Sequence, residues 1–279
     1  MKIFLLLSAI LLLVLALAAC SDDEEAAPEV NEVTYTATDY LFNGPQFIPS
    51  GTTKFVLDNQ GMELHHQQLI SLPDGMTVDG LMAELAAAEE GTFPTGVNAA
   101  GGVSALNPGL SGAVTMDMAA GEYVMVCFVP NAEGVPHLAL GMVKPITVIE
   151  SDTPPVAVQA SEVSIDMVDF GFAVTGAISA GTQTIDVSNE GEQDHEAFLL
   201  QLNPGATVQD VLAAFAPDAP PGPPPGKGLG GFQAIASGGG GSFTADFTAG
   251  DYALVCFIGD PNTGAPHFAL GMIHEFTVQ

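Results

Sequence analysis

The sequence predicts an all-β chain: two tandem Greek-key β-sandwich domains, each with one short helical insertion. Short apolar runs alternate with period two and are punctuated by Gly, Pro, Asn and Asp, the pattern of half-buried strands joined by turns. The second half repeats the first. Asp39 and Asp169, Gly51 and Gly181, Asn59 and Asn189, Gly61 and Gly191, and His65 and His195 are each 130 residues apart. The offset falls to 129 at Tyr123 with Tyr252 and Cys127 with Cys256, then returns to 130 for His137 with His267 and Met142 with Met272. A register held over a whole domain is a duplication. At 279 residues, each copy has enough chain to bury a core.

Residues 1–20 read as an export signal rather than part of a fold. Lys2 is a minimal positive start, Ile3 to Ala19 is apolar, and Leu17-Ala18-Ala19-Cys20 resembles the lipobox of bacterial lipoproteins. By that likeness Cys20 is lipidated and the remaining chain lies in the cell envelope, outside the cytoplasm and anchored to a membrane. The alternative is an uncleaved anchor, for which 17 residues are short. Residues 21–31 are small and acidic, as a flexible tether is. Domain 1 is expected over 32–150, a linker with Pro154-Pro155 over 151–158, and domain 2 over 159–279.

Within each copy the strands follow in order. Val33 to Thr38 and Val163 to Val168 alternate as half-buried strands do. Lys54 to Leu57 and Thr184 to Val187 run into the turns Asn59-Gln60-Gly61 and Asn189-Glu190-Gly191. Leu69 to Leu72 and Phe198 to Leu202 come next. Helices are expected where Val78, Leu81, Met82 and Leu85, and Val208, Val211, Leu212 and Phe215, fall on one face, with Thr207 as a cap. The proline run Ala219 to Gly226 and the glycine run Gly238 to Gly241 read as loops. Val114 to Met118 with Tyr123 to Phe128, and Phe243 to Phe247 with Tyr252 to Ile258, lead into a histidine loop; Ile146 to Ile149 and Phe276 to Val278 close the copies. Seven or eight short strands per copy suit a Greek-key sandwich.

Composition narrows the function. Four Lys, no Arg and 33 acids give a net charge of −29, so no basic patch for a nucleic-acid backbone exists. Such charge favours a soluble monomer and a basic rather than acidic partner. P-loop, nucleophile-elbow and dinucleotide fingerprints are absent, and the carboxylates are scattered, so no enzyme is expected. With Cys20 set aside, two thiols remain in an oxidising compartment, and each is expected to be a metal ligand or an inert core thiol rather than half of a disulfide.

The repeat sorts the six histidines. His65 matches His195 and His137 matches His267, whereas His66 pairs with Glu196 and His274 with Lys144; these last two read as ordinary surface residues. Each copy therefore holds His, Cys, His and Met in the same order. Thiolate, imidazole and thioether are ligands that copper takes, and two His with one Cys and a weak axial Met make a blue-copper site. Singly, a strand cysteine, a loop histidine or a methionine after glycine has an ordinary explanation. Their joint recurrence in both copies points to a site.

The motifs Asn59-x-Gly61-x-x-x-His65 and Asn189-x-Gly191-x-x-x-His195, the Tyr-x-x-x-Cys strands and the Pro-His-x-x-x-Gly-Met endings resemble the cupredoxin family, the plastocyanin-like blue copper proteins, over nearly all of both copies. The resemblance implies His65, Cys127, His137 and Met142 as ligands of one type 1 copper, and His195, Cys256, His267 and Met272 as ligands of another. It also implies one-electron transfer with a redox partner protein. One departure stands out: nine residues separate Cys127 from His137 and ten separate Cys256 from His267, more than the family usually has. That leaves open copper-free sandwiches serving as an envelope binding module, and copper sequestration or delivery without redox cycling. Multicopper oxidases resemble tandem cupredoxins, but their trinuclear cluster needs His-x-His motifs and more histidines than this chain has.

Overall fold

The computed structural model describes residues 30–88, 93–94, 96–152, 156, 160–214 and 225–279. The signal with Cys20, the tether up to Glu29, Phe215 and most of the proline run lie outside the described residues. Of the linker, only 151, 152 and 156 lie among them.

In the first half the strands are β1 (Asn31–Thr38), β2 (Leu41–Asn43), β3 (Phe47–Pro49), β4 (Gly51–Asn59), β5 (Gln68–Ser71), β6 (Asn98–Ala99), β7 (Ser111–Met118), β8 (Gly121–Val126) and β9 (Val143–Ile149), with helix α1 (Val78–Ala87) after β5. The second half contains β10 (Val163–Val168), β11 (Gly171–Thr175), β12 (Gly181–Asn189), β13 (His195–Leu202), α2 (Val208–Ala214), β14 (Gly226–Ile235), β15 (Gly240–Phe247), β16 (Gly250–Val255) and β17 (Ile273–Val278). Both halves are two-sheet sandwiches, β2-β1-β4-β7 over β3-β9-β8-β5-β6 and β11-β10-β12-β15 over β14-β13-β16-β17. The fold is all-β and cupredoxin-like in each half. The helices start where the threonines cap them: Thr77 accepts from the Gly80 N–H, and Thr207 from the Asp210 N–H at 3.3 Å.

The halves are not beads on a linker. Strand β15 pairs antiparallel with β7 through Ser242–Thr115, Phe243–Val114 and Thr244–Ala113, which merges one sheet from each half into eight strands. A second seam lies on the other face. Strand β14 runs along the segment 99–107 with bridges Ala100–Ile235, Val103–Phe232 and Leu106–Leu229. Gly101 donates to Ala234 O at 2.8 Å and Gln233 to Gly102 O at 2.9 Å. One apolar cluster then runs through both halves, from Tyr35 and Phe55 to Phe243 and Val278.

Strand β14, which falls between the two expected loops and matches no expected element, holds four glycines. Gly231 shows why they are there. It holds φ +100°, and a Cβ would strike the Ala197 carbonyl; Gly102, its counterpart in the first half, has φ +131° and lies as close to the Gln67 carbonyl. The glycine run also divides differently from expectation: Gly240 and Gly241 are strand, and a side chain at Gly241 would collide with Thr115 O across the seam.

Candidate metal centres

The Asn-x-Gly-x-x-x-His turn brings the first histidine to the end of the sandwich. Asn59, fully buried, accepts the Gly61 N–H at 2.9 Å and donates to Glu63 O at 2.9 Å and Leu106 O at 2.7 Å. Asn189 repeats this with Gly191, Gln193 O and Ile235 O. The glycine makes room for the ligand pair: a Cβ on Gly61 would sit 2.6 Å from His65 Nε2, and one on Gly191 2.5 Å from His195 Nε2. Strands β8 and β16 deliver the cysteines, steadied by Tyr123 and Tyr252, whose hydroxyls donate to the backbone carbonyls of Ala119 and Thr248.

The long Cys–His loops fold out of the way. In the first half Asn131 closes a small hairpin, accepting from the N–H groups of Glu133 and Val135 through its side chain, and Pro130 and Pro136 face each other across it. In the second half Asp260 accepts the Asn262 N–H and the Thr263 hydroxyl, and Gly259 faces Pro266. The added residue is absorbed in this turn. His137 therefore returns beside Cys127, with Leu138 N–H bonded to Cys127 O at 2.8 Å.

Among the described residues, two groups of His and Cys place their donor atoms within 4.8 Å of one another: His65, Cys127 and His137, and His195, Cys256 and His267. In the first, the two Nδ1 atoms are 3.0 Å apart, and Cys127 Sγ is 3.5 Å from His137 Nδ1 and 4.0 Å from His65 Nδ1. In the second, the Nδ1 atoms are again 3.0 Å apart and Cys256 Sγ is 3.5 Å from His267 Nδ1. All six residues are fully buried. One ion with bonds of about 2 Å spans such separations. Met142 and Met272 are also fully buried, in the same cluster as the cysteines; each carbonyl accepts its cysteine's N–H at 3.3 Å.

The outer nitrogens show what the inner ones hold. His65 Nε2 meets Asp39 Oδ1 at 3.0 Å, and His137 Nε2 meets Glu63 Oε2 at 2.7 Å. Burial works against the Asp39 charge, but bonds from His65, Met62 and Glu63 keep its carboxyl below the usual range. A carboxylate only accepts, so both Nε2 atoms carry the proton and both Nδ1 lone pairs face inward. Two lone pairs aimed at each other at 3.0 Å repel unless a positive charge lies between them. In the second half His195 Nε2 meets Asp169 at 2.6 Å, and His267 Nε2 meets Gln193 Oε1 at 2.9 Å. Asp260 accepts from Gln193 Nε2 at 3.1 Å and so fixes that amide's orientation. Burial lowers the pKa of His137, of His195, and of His267 to about 4, so these rings stay neutral. Burial also pushes the Cys127 thiol up to about 12 and raises Cys256 well above its ordinary value, so each thiol keeps its proton until a bound metal displaces it to solvent. The donor set fits copper, one ion per domain.

Sequence reasoning missed the outer shell. Asp39 and Asp169 were visible only as repeat markers, while Glu63 and Gln193 carried no signal because they differ. His66 requires a correction: it is buried, not a surface residue, and its counterpart Glu196 is buried too. His66 Nε2 accepts the Phe128 N–H at 2.7 Å and Glu196 Oε1 the Phe257 N–H at 2.8 Å, while their own N–H groups lie 3.5 Å from Cys127 Sγ and Cys256 Sγ. His274 remains partly exposed. Neither cysteine forms a disulfide.

No protein-family model and no curated protein matches the chain. Among solved structures, auracyanin A, a "blue" copper protein from Chloroflexus aurantiacus, aligns at 18% identity over 43% of this chain and 100% of its own, with a TM-score of 0.32. The blue copper oxidase of Nitrosomonas europaea aligns at 12% over 90% of this chain and 86% of its own, TM-score 0.28. The copper nitrite reductase of the same organism aligns at 13% over 90% and 94%, TM-score 0.26. At these values the likenesses add no argument for the metal, which rests on the donor geometry. The expectation that the chain is no enzyme is withdrawn: the structures aligned over nine-tenths of it are named as an oxidase and a reductase. The histidine count sets aside only a trinuclear cluster within this chain. The fold is cupredoxin-like in both halves, and each half holds one His-Cys-His donor set that fits copper.

Proposed function

We propose that the chain is an envelope copper protein, anchored by lipid at Cys20, that passes single electrons through a type 1 copper in each domain. One observation carries this reading: in both halves two Nδ1 atoms and one Sγ converge while both Nε2 atoms are held from outside. Bound copper supplies the one-electron couple. The chain supplies a fixed cage: carboxylate and amide partners lock the imidazole planes, and the N–H groups of His66 and Glu196 point at the sulfurs. Full burial excludes water, so little rearranges when the charge of the site changes. The ring of Tyr40 lies 5.0 Å from that of His137, and Phe170 lies 4.8 Å from His267, each covering its site edge. The envelope location rests on the Leu17 to Cys20 motif and the acidic tether. No helix among the described residues is long and apolar enough to cross a membrane. The partner in this reading is a redox protein with a basic face, since this chain carries −29. The reading has no role for nucleic acid and takes the chain as a monomer.

The test is to add Cu(II) to the purified chain and record the intense thiolate-to-copper absorption. Cys127→Ala and Cys256→Ala should each remove about half of it, and the double variant all of it. A colourless parent that retains no copper overturns the proposal.

A further inference from the structure

The two donor sets lie at opposite ends of the molecule. In each half the donor end is where β4 or β12 finishes, at the Asn59 or Asn189 turn that carries the first histidine. Asp58 pairs there with Ser111, the first residue of β7, and Ser188 with Gly240, the first of β15. Strands β7 and β15 therefore both run away from their own donor set. They pair antiparallel across the seam, so the donor end of one half meets the far end of the other. Continuing the Thr115–Ser242 pairing by two residues sets Gly240 opposite Asp117, six residues along β7 from Ser111. At about 3.4 Å per residue, that offsets the sites by about 20 Å along the strands. The second seam agrees. Val103 faces Phe232 and Val114 faces Phe243, each its own counterpart 129 residues on, as a two-fold axis through the seam requires.

The chain enters the fold at one of these ends and not the other. Strand β1 runs parallel to β4, with Asn31 opposite Thr53 and Ala37 opposite Asn59. Asn31, Thr53, Met116 and Gly241 form one row across four strands, and a Cβ on Gly241 would lie 3.0 Å from that of Met116. That row is at the far end of the first half and beside the second donor set. Among the described residues, the exposed large apolar side chains gather at these two ends. Leu41, Met62 and Leu140 lie at the first site's end, next to the part-exposed carboxylates of Asp39 and Glu63. Leu270 lies at the second site's end, with Phe47 and Ile149 at the far end of the first half on the same side of the molecule.

We propose that the two sites are separate electron ports facing opposite ways: the second toward the membrane that holds Cys20, the first away from it, open to a soluble redox protein with a basic face. The proposal rests on the copper and lipid-anchor readings above. Ten residues separate Cys20 from Asn31, and a coil of that length spans about 17 Å. The entry end therefore stays near the bilayer, and the first site stands about 20 Å further out. Tunnelling falls off exponentially with distance, so a partner docked at one end exchanges electrons with the near site. At the outer end, carboxylates around exposed Met62 and Leu140 suit a partner whose basic rim surrounds an apolar centre.

The experiment uses the full lipidated chain on phosphatidylcholine vesicles that carry a nitroxide-headgroup lipid. Met62→Cys and Leu270→Cys are labelled one at a time with a fluorophore; Cys127 and Cys256 are fully buried and stay unlabelled. Without metal, the expected result is strong quenching of the label at 270 and little at 62. Equal quenching, or stronger quenching at 62, overturns the proposal. Should Leu270→Cys fail to fold, Phe47→Cys on the same side is read in its place. With copper, Cys127→Ala and Cys256→Ala each leave a single site, and ferrocytochrome c, a soluble basic protein, is the probe. One electron leaves its ferrous haem and reduces Cu(II) to Cu(I), which bleaches the thiolate-to-copper band. Relative to the same chain in detergent, anchoring to vesicles should slow the second site about tenfold and leave the first unchanged. A slowed first site, or a second site that reacts as fast on the vesicle as in detergent, overturns the proposal too. A parent without a copper band overturns the copper reading alone, because the quenching needs no metal. A chain without lipid on Cys20 overturns the anchor reading and this proposal with it.

Discussion

His66 and Glu196 occupy equivalent positions, one residue past the first ligand of each site, and burial drives both toward neutrality. Burial, with the neighbouring His137 and His65, lowers the His66 pKa to about 3, and burial raises that of Glu196 to about 7. Their effects on stability oppose each other. A folded histidine that resists protonation makes the native state bind fewer protons than the unfolded chain, so stability rises with pH from about 3 to 6.5. A folded carboxyl that stays protonated longer does the reverse, and stability falls from about 4.5 to 7. In the metal-free chain the two nearly cancel over their shared window. Glu196→Gln removes only the second, so its unfolding free energy should gain on the parent by about 3 kcal/mol between pH 4.5 and 7. Urea unfolding at both values checks this, and a constant difference counts against it. Nothing in the local sequence announces such residues, because His and Glu beside a polar turn are usually exposed.

At the scale of elements, the Cys–His loops decide whether the donors meet. Their length, more than the family usually has, left a copper-free sandwich open. Asn131 and Asp260 resolve the conflict by closing each excess into a hairpin of its own, which leaves the histidine next to the cysteine strand. Asn131→Ala removes the one side-chain oxygen that accepts two N–H bonds, with an expected cost of about 1–2 kcal/mol, and should weaken copper at the first site alone. Thermal melting and copper titration in the Cys256→Ala background measure the two effects; unchanged affinity would mean that the loop closes without Asn131. The ladder strands were legible because alternation survives in a half-buried strand, whereas β14 was not, since glycine carries no hydropathy signal and its role is to let two backbones approach.

The whole molecule is packed as one body. Backbone ladders join the halves on both faces, through β7 with β15 and through 99–107 with β14, and a single apolar cluster runs through both sandwiches. Duplicated domains on a linker would unfold separately. Here separation would strip each seam strand of its partner on one side and open the shared cluster, so metal-free calorimetry should show one transition whose van't Hoff and calorimetric enthalpies agree. Two resolved transitions would show the seam to be weak.

The sequence by itself determined the duplication, the all-β class, the charge and the ligand order, because each is carried by spacing or composition along the chain. Only the tertiary structure decided that the donors converge, that Asp39, Glu63, Asp169 and Gln193 hold their outer nitrogens, and that His66 and Glu196 are buried with their N–H groups beside the sulfurs. Those relations join residues far apart in the chain and often different in the two copies, and proximity of that kind arises only when strands are folded against one another.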